Sequence, residues 1–503
     1  MSRVVTMDRI ARMERAAATD EGSYRIDVRA TNSAAARKSY KAREAIYPKL
    51  VHGTYRRVKW IVMVLTLAIY YYTPWIRWDR GPSSPGQAVL VDLARERFYF
   101  FFIEIWPQEI YYITGLLILS AVALFLITAL FGRLWCGYSC PQTVWTDLFI
   151  WVENLIEGDR SSRIRLAAQA WDTEKVFKRV LKHSVWLLIA LATGGAWVFY
   201  FADAPALVQQ FAHGHAPAIA WLSVGFLTFT TYSLGGLMRE QVCTYMCPWP
   251  RIQAAMTDNE ALSVTYRRDR GEPRGPHKKG LPWTATSHCI DCHQCVAACP
   301  MGIDIRDGTQ LECINCALCI DACDDIMDKV GLPRGLIAYD TEANVERRLR
   351  GEPSHFRFIR PRTILYSAIL LLVGAIMLYT LWARFSIGID VLKDRNPEFV
   401  LQSNGAVLNG YSVKVLNHAD RARTFLLTVS GGKFAAIRVI GVPNTVGPVP
   451  IQVEPDRVRA LRVLLTTAKT DLKPRNQEIE FQILDPGTHE SVETESVFTS
   501  GKN

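Results

Sequence analysis

The chain has 503 residues, twelve cysteines and a formal net charge of +10, and its mean hydropathy is close to neutral. That average hides long apolar runs separated by basic stretches, so basic loops beside membrane spans account for the charge. No run of base-stacking aromatics lies in a basic patch, which argues against nucleic-acid binding, and tight cysteine clusters confined to the first two thirds argue against a secreted disulfide scaffold.

The N-terminal stretch "MSRVVTMDRIARMERAAATDEGSYRIDVRA" has no apolar core of signal-peptide length and reads as a disordered or partly helical cytoplasmic tail. Five segments are apolar over about the 17–25 residues that cross ~30 Å of hydrocarbon. They lie near Trp60–Ile76, Ile110–Phe131, Ser184–Phe201, Ala216–Leu237 and Ile364–Ala383. The stretch before the first of them and the connection between the second and third are rich in Lys and Arg, whereas Asp203–His215 has neither. The positive-inside rule therefore places the N-terminus in the cytoplasm and, with five spans, the C-terminus in the periplasm. The segment at 92–110, "DLARERFYFFFIEIWPQEI", is too short in its apolar part to span and carries Glu104, which suits an interfacial or re-entrant element.

The second and fourth spans each lead into a Cys-x-Tyr-x-Cys-Pro motif, "CGYSCP" at 136–141 and "CTYMCP" at 243–248. On a helix, residues four apart share a face, so Cys136 with Cys140, and Cys243 with Cys247, can aim both sulfurs at one point. If Pro141 and Pro248 open new helices, the second cysteine of each pair sits at an N-cap, where the helix dipole favours thiolate. Four thiolates on one side of the membrane suit a soft ion, Cu(I) first, and a thiol pair could instead cycle as a disulfide. Small packing cysteines are the plainer alternative, weakened by the repeat. Tyr138 and Tyr245 read as interfacial anchors before hydrogen-bond donors to the thiolates. His213 and His215, on an outer connection, could take up copper, though exposed loop histidines are more often inert.

Residues 289–323 carry C-x2-C-x2-C-x3-C twice, the spacing of bacterial two-cluster ferredoxins. Three thiolates of one short loop hold one cubane and the fourth reaches the other. Cys289, Cys292, Cys295 and Cys323 are thus expected on one [4Fe–4S] cluster, and Cys313, Cys316, Cys319 and Cys299 on the second. Zinc knuckles also use C-x2-C pairs, but the doubled eight-cysteine spacing disfavours them. Cys299 is followed by Pro300, whereas Cys323 is followed by Asp324 and Asp325, acids that would lower the potential of the nearer cluster. The preceding "YRRDRGEPRGPHKKGLPW" reads as a flexible tether that hangs the module beneath the membrane. No G-x-G-x-x-G follows a strand, so electrons come from a partner.

After the fifth span, "YSVKVLN", "TFLLTVS", "AAIRVIG", "RALRVLLTT" and "EIEFQILD" alternate polar and apolar residues as strands do, punctuated by Gly431-Gly432, Pro455-Asp456 and Pro486-Gly487. An antiparallel immunoglobulin-like β-sandwich is expected. The whole is a multi-domain membrane protein. Its parts are a tail at 1–56, four helices at 57–259, a two-[4Fe–4S] ferredoxin-like module at 260–362, a fifth helix at 363–387 and a periplasmic domain at 388–503.

With "RFYFFFIEIWPQEIYYITGLL", "GRLWCGYSCPQTVWTDLF", "EGDR", "CTYMCPWPRIQ" and "GIDIRDGTQLECINCALCIDACD" in view, the chain resembles the cbb3-type cytochrome c oxidase accessory proteins, the CcoG/FixG/Rdx polyferredoxin family. The resemblance implies a multi-pass protein of the bacterial inner membrane that reduces Cu(II) to Cu(I) for assembly of the oxidase, a cupric reductase. It carries over to the eight ferredoxin cysteines as cluster ligands and to Cys136, Cys140, Cys243 and Cys247 as the copper site. Expected partners are a cytoplasmic electron donor and copper chaperones or assembly factors of the oxidase; a homo-oligomer is compatible. Two other functions stay open: a quinol-linked polyferredoxin carrier with no copper role, and a non-enzymatic assembly scaffold.

Overall fold

The computed structural model describes residues 45–500 apart from 82–83, 277–282, 284–286, 384–385, 420, 444–446, 456 and 473–475. The N-terminal tail up to residue 44 and Asp456 lie outside the described residues. The chain runs through α1 (Thr54–Tyr72), three short strands β1 (Val89–Asp92), β2 (Arg97–Phe100) and β3 (Ile103–Ile105), and then α2 (Tyr111–Phe131). It continues through α3 (Leu134–Tyr138), α4 (Pro141–Glu157), α5 (Thr173–Val198), α6 (Ala218–Thr231) and α7 (Trp249–Met256). The cysteine module holds β4 (Ser263–Tyr266), α8 (Gln294–Ala298), α9 (Leu318–Val330) and β5 (Ile337–Asp340), and α10 (Pro361–Trp382) leads to the C-terminal strands.

Among the described residues four helices are long and apolar enough to cross a membrane: α2, α5, the continuous segment Ala218–Met238 and α10. Each starts and stops where its residues dictate. Pro361 opens α10 at the first helical position, where its missing N–H costs nothing. The Asp172 carboxylate caps α5 by accepting from the Lys175 N–H at 2.8 Å. Gly132, at φ 57°, ends α2 in a conformation other residues adopt only under strain. Leu116, Leu117, Phe226, Phe229, Leu371 and Leu372 point outward from these helices, as lipid-facing residues do. Where α5 meets α6 the side chain has to vanish: a Cβ on Gly194 would lie 2.9 Å from the Val224 carbonyl oxygen.

The first expected span behaves differently. Trp60–Ile76 falls on α1 and a following 3₁₀ turn, and α1 is not among the four. Its first turns carry Arg56, Arg57 and Lys59, and Arg56 and Lys59 are buried in the protein. Span counting at this end is upset by charges that find protein partners and not water. The segment at 92–110, expected to be interfacial or re-entrant, takes a form the sequence did not specify. It forms a three-stranded antiparallel meander, β1-β2-β3, with Arg97 of β2 paired to Glu104 of β3 at 2.7 Å. Short aromatic strands bury Tyr99 and Trp106, and Val91 N–H donates to the Tyr200 carbonyl just past α5. Trp106 lies between the Arg97 guanidinium, 3.6 Å from its ring centre, and the His418 ring of the C-terminal domain at 4.5 Å.

The C-terminal domain is two antiparallel sheets face to face. One has β6 (Ile387–Lys393), β7 (Val400–Leu401), β8 (Val407–Asn417), β10 (Ala436–Val439) and β12 (Arg457–Thr467), in the order β10-β12-β8-β6 with β7 also on β8. The other runs β11-β9-β13-β14, from β11 (Val449–Val453), β9 (Arg423–Ser430), β13 (Gln477–Leu484) and β14 (Ser491–Phe498). All five sequence-read strands fall on β8, β9, β10, β12 and β13. Alternate residues Tyr411, Val413 and Val415 from one sheet meet Phe425, Leu427, Phe481 and Ile483 from the other in a fully enclosed core.

Candidate functional site

The two cysteine loops share one backbone device. Asp291 and His293 flank Cys292, and Asn315 and Ala317 flank Cys316; all four have φ between 53° and 60°. Alternating left-handed residues turn successive backbone N–H groups inward, a concavity that stabilises negative charge. Such a cradle suits thiolates around an iron–sulfur cubane, and its recurrence at matching positions of the two loops fits two clusters. Cys289, Cys292, Cys295 and Cys323 line one hollow, with Tyr266 and Arg306. Cys299, Cys313, Cys316 and Cys319 line the other, which Cys295 also touches. Each expected set of four is thus gathered at one place. Bound there, each [4Fe–4S] cluster would accept and release one electron.

The two C-x-Y-x-C-P turns are built alike, though not as continuous helices. Cys136 lies in the short α3 and Cys140 caps α4, with Pro141 at the first helical position. Cys243 lies in a π-helical turn, Val242–Met246, and Cys247 follows it. Pro248 already has helical angles, and Cys247 (φ −78°, ψ 121°) repeats the backbone of Cys140 (φ −61°, ψ 128°). The N-cap expectation therefore describes both turns to within the residue by which helix ends are uncertain. At Cys140 the expected thiolate does not follow. Burial pushes the Cys140 thiol up, with the Thr143 and Gln142 N–H groups pulling the other way. Burial and the neighbouring Cys140 push Cys136 up to about 12, and burial together with Cys140, Cys136 and Cys247 pushes Cys243 up to about 12. A helix end stabilises a thiolate that faces water, and Cys140 is half-buried, whereas Cys247 is exposed.

All four thiols are close enough to shift one another's charge. They do not converge further: among the described residues no three His, Cys, Asp or Glu side chains are placed to hold a single ion. His213 and His215, with rings 6.4 Å apart, likewise gain no third ligand.

Residues 277–282 of the expected tether lie outside the described residues, and the cysteine module does not merely hang. It is packed onto these turns. A Cβ on Gly137, inside the first motif, would lie 2.6 Å from the Ile314 carbonyl oxygen of the second cysteine loop. Cys136 packs with Ile314, Cys316 and Met301, while Cys243 shares a cavity with Pro300, Met301 and Ile314. The loops carrying Cys299, Cys313 and Cys316 are thus wedged between the two motifs. Arg133 closes the joint by donating to the carbonyl oxygens of Leu311, of Cys313 at 3.2 Å and of Pro250 at 3.0 Å. Fully buried Gln253 accepts from the Cys136 thiol at 3.4 Å. The described part of the linker also folds back: Gly275 N–H donates to the Cys289 carbonyl at 3.1 Å, and Arg270 reaches Pro333, Arg334 and His288. Its arginines find carbonyls and carboxylates of the module, so its charge does not keep it in solvent.

Tyr138 is neither an interfacial anchor nor a thiol donor. It is buried, and the Tyr339 hydroxyl from β5 meets its hydroxyl at 3.4 Å while donating to the Asn315 carbonyl at 2.5 Å. Tyr245 stays exposed. Residues 48–56, expected in the tail, are pinned to the module: Arg56 N–H donates to the Asp321 carboxylate at 2.7 Å. Sequence reasoning also missed a buried ionic group on α4. Asp147 pairs with Arg56 at 2.8 Å and Lys59 at 3.5 Å, and Glu153 with Arg163, Arg239 and Lys182 at 2.5, 2.6 and 3.5 Å. Burial alone would raise the Glu153 carboxyl, but Arg239, Arg163 and Lys182 hold it below its ordinary value. Acids inside "PQTVWTDLFIWVENLIE" were the available signal, since a carboxylate in an apolar helix needs a partner.

Cysteine-lined cradles inserted between apolar membrane helices define a membrane-bound iron–sulfur electron-transfer protein. Family comparison agrees: the 4Fe-4S dicluster domain matches residues 238–342, a 4Fe-4S binding domain matches 113–160, and the IG-like fold at the C-terminus of FixG matches 377–501. The chain is 50% identical over 496 residues to nitrogen fixation protein FixG of Rhizobium meliloti, covering 93% of this chain and 95% of that one. It is 53% identical over 415 residues to protein RdxB of Cereibacter sphaeroides, covering 82% and 87%. Among solved structures, a FixG-related protein from Vibrio parahaemolyticus is similar over 24% of this chain and 99% of that one, at 27% identity and a TM-score of 0.20. The chain belongs to the FixG/Rdx family.

Proposed function

We propose that the protein is a cupric reductase of the bacterial inner membrane. In this reading a cytoplasmic carrier supplies electrons through the two cysteine cradles to Cu(II) at Cys136, Cys140, Cys243 and Cys247. The observation that carries it is the wedge: the loops of Cys299, Cys313 and Cys316 lie against Cys136 on one side and Cys243 on the other. Each Cu(II) takes one electron and becomes Cu(I), and the carrier is oxidised by one electron per ion. Soft sulfur ligands favour the Cu(I) product over Cu(II). The four thiols bind either one ion together or one ion per pair, and proton loss from the buried thiols accompanies binding. The Cu(I) serves assembly of a cbb3-type oxidase, handed on through copper chaperones or assembly factors.

In the same reading α1 is a fifth span. It begins beside Asp321 of the module and ends where the Tyr70 hydroxyl donates to Thr193, near the far end of α5, at 2.8 Å. Ile61, Val64, Leu65 and Ile69 face outward along it. The module then lies in the cytoplasm and the C-terminal sandwich in the periplasm.

The test uses full-length protein reduced with dithionite and freed of excess reductant. Cys136→Ser and Cys247→Ser should keep the visible iron–sulfur absorbance and stop Cu(I) formation, read with a Cu(I)-specific chelating dye. Wild-type Cu(I) formation in both variants would remove the thiols from the mechanism.

A further inference from the structure

A cleft of about 480 Å³ opens beside the second cysteine cradle. Its floor is Gly132 and Arg133, at the end of α2; one wall is Thr309–Leu311 with Cys313, and the other runs from Ala254 on α7 to Val264 on β4. This volume lies within the roughly 300–1,000 Å³ of small-molecule sites and far exceeds the needs of one ion. Cys313 is part of its lining, so a molecule seated there touches a ligand of the cluster itself. Asn259, Ser263 and Thr309 bring amide and hydroxyl groups to the lining, while the Thr257 hydroxyl and the Gln310 amide N–H donate to the Ala254 and Asp304 carbonyls. Glu342 adds a carboxylate, 3.4 Å from the Thr309 hydroxyl. The cleft sits at the bilayer boundary: α2 ends at its floor, and Asp258 of its wall accepts from Arg360, the residue before α10.

We infer that this cleft is the electron-uptake site and that it takes a planar ring bearing carbonyl oxygens, the redox chemistry that quinones and flavins share. The inference rests on the proposed iron–sulfur reading of Cys313. The reduced ring gives up two electrons and two protons and leaves oxidised, a quinol as the dicarbonyl quinone and a dihydroflavin as the flavin whose N1 and N5 have lost their hydrogens. The two cysteine sets, Cys289, Cys292, Cys295 and Cys323 and Cys313, Cys316, Cys319 and Cys299, would each hold a cluster able to take one of these electrons, and two Cu(II) would be the final acceptors. The protons pass to the Glu342 carboxylate and to water at the open side. A two-electron donor thereby matches two one-electron acceptors. Shape separates this from the thiol site: the thiols meet the wedge, whereas the cleft meets only the Cys313 side of the same loop.

Two probes distinguish the sources, a short-chain ubiquinol analogue for the membrane and reduced FMN for the aqueous phase. Each is mixed anaerobically with full-length protein carrying both clusters, and bleaching of the visible iron–sulfur band is followed. Calorimetric binding of the oxidised probe is measured separately. One probe should bind and bleach the band. Thr309→Trp and Ala254→Trp, which fill the cleft from opposite walls at exposed positions, should each weaken binding and slow bleaching by about tenfold or more. Dithionite, which needs no ring site, reports cluster content in every variant. Bleaching by dithionite with neither probe binding would overturn the uptake site while leaving the iron–sulfur reading intact. Probe bleaching at the wild-type rate in both Trp variants would also overturn it. No bleaching by dithionite in wild-type protein would overturn the iron–sulfur reading, and the inference with it.

Discussion

Arg133 and Cys313 stand 180 positions apart in the chain, yet the guanidinium of the first donates to the carbonyl oxygen of the second at 3.2 Å. The same side chain also serves Leu311 and Pro250. One planar fork therefore ties the end of a membrane helix to the second cysteine loop and to the segment after the second C-x-Y-x-C-P motif.

Arg133→Met removes three charge-assisted hydrogen bonds, each worth about 1.5–3 kcal/mol in general. The expected outcome is a lower thermal midpoint, unchanged iron content and a fall of about tenfold in Cu(II) reduction. Arg133→Lys should restore little, because an ammonium is a point donor without the fork. Iron analysis beside stopped-flow Cu(I) formation checks both.

Gly137→Ala places a methyl group 2.6 Å from the Ile314 carbonyl, a backbone atom that cannot swing away. A cost of about 1–3 kcal/mol is expected from such overpacking. Gly225→Ala is the control, since a Cβ there meets nothing within 4 Å. Denaturation in detergent should separate the two variants clearly.

Glu153 makes stability depend on acid. Its folded-state pKa lies below the ordinary 4.5, so the stability it contributes is present above that value and is lost as pH falls through the folded pKa. Glu153→Gln leaves Arg163, Arg239 and Lys182 without their shared anion, at a cost of about 3–5 kcal/mol. Thermal midpoints measured from neutral pH downward should fall below pH 4.5 in wild type and be low and flatter in the variant.

Ala317 holds φ 60° inside the second cysteine loop. An L-residue there costs about 1–2 kcal/mol relative to its right-handed form, a cost glycine escapes. Ala317→Gly should keep both clusters and raise the temperature at which the visible absorbance is lost. An equal loss of iron in that variant would count against the left-handed cradle as the strained element.

Much of this molecule is legible in its sequence. The doubled cysteine spacing locates the cradles, and period-two alternation in "TFLLTVS" or "EIEFQILD" locates strands, because both signals are local. What stays hidden is long-range. Nothing near Gly137 announces that Ile314 will press against it, and Tyr138 looks like a membrane anchor until Tyr339 arrives from β5. The meander at 89–105 is missed for a related reason: strands of three or four residues are stabilised by their neighbours and by Trp106 packing, not by their own periodicity. At α1 the basic residues read as a membrane edge, and nothing local announces that Arg56 and Lys59 also meet Asp147 inside the protein.

The joint between the module and the turns also sets how the reaction scales. A free ferredoxin must find its acceptor by diffusion, and its delivery rate rises with its concentration. Here both members belong to one polypeptide and are already in van der Waals contact at Gly137 and Ile314. The proposed hand-off is first order, so its rate per molecule does not rise with abundance. In the proposed function each molecule in a sparsely populated membrane works at the same internal pace as one in a crowded membrane, and the throughput of the cell follows the number of molecules and the supply of donor and of copper.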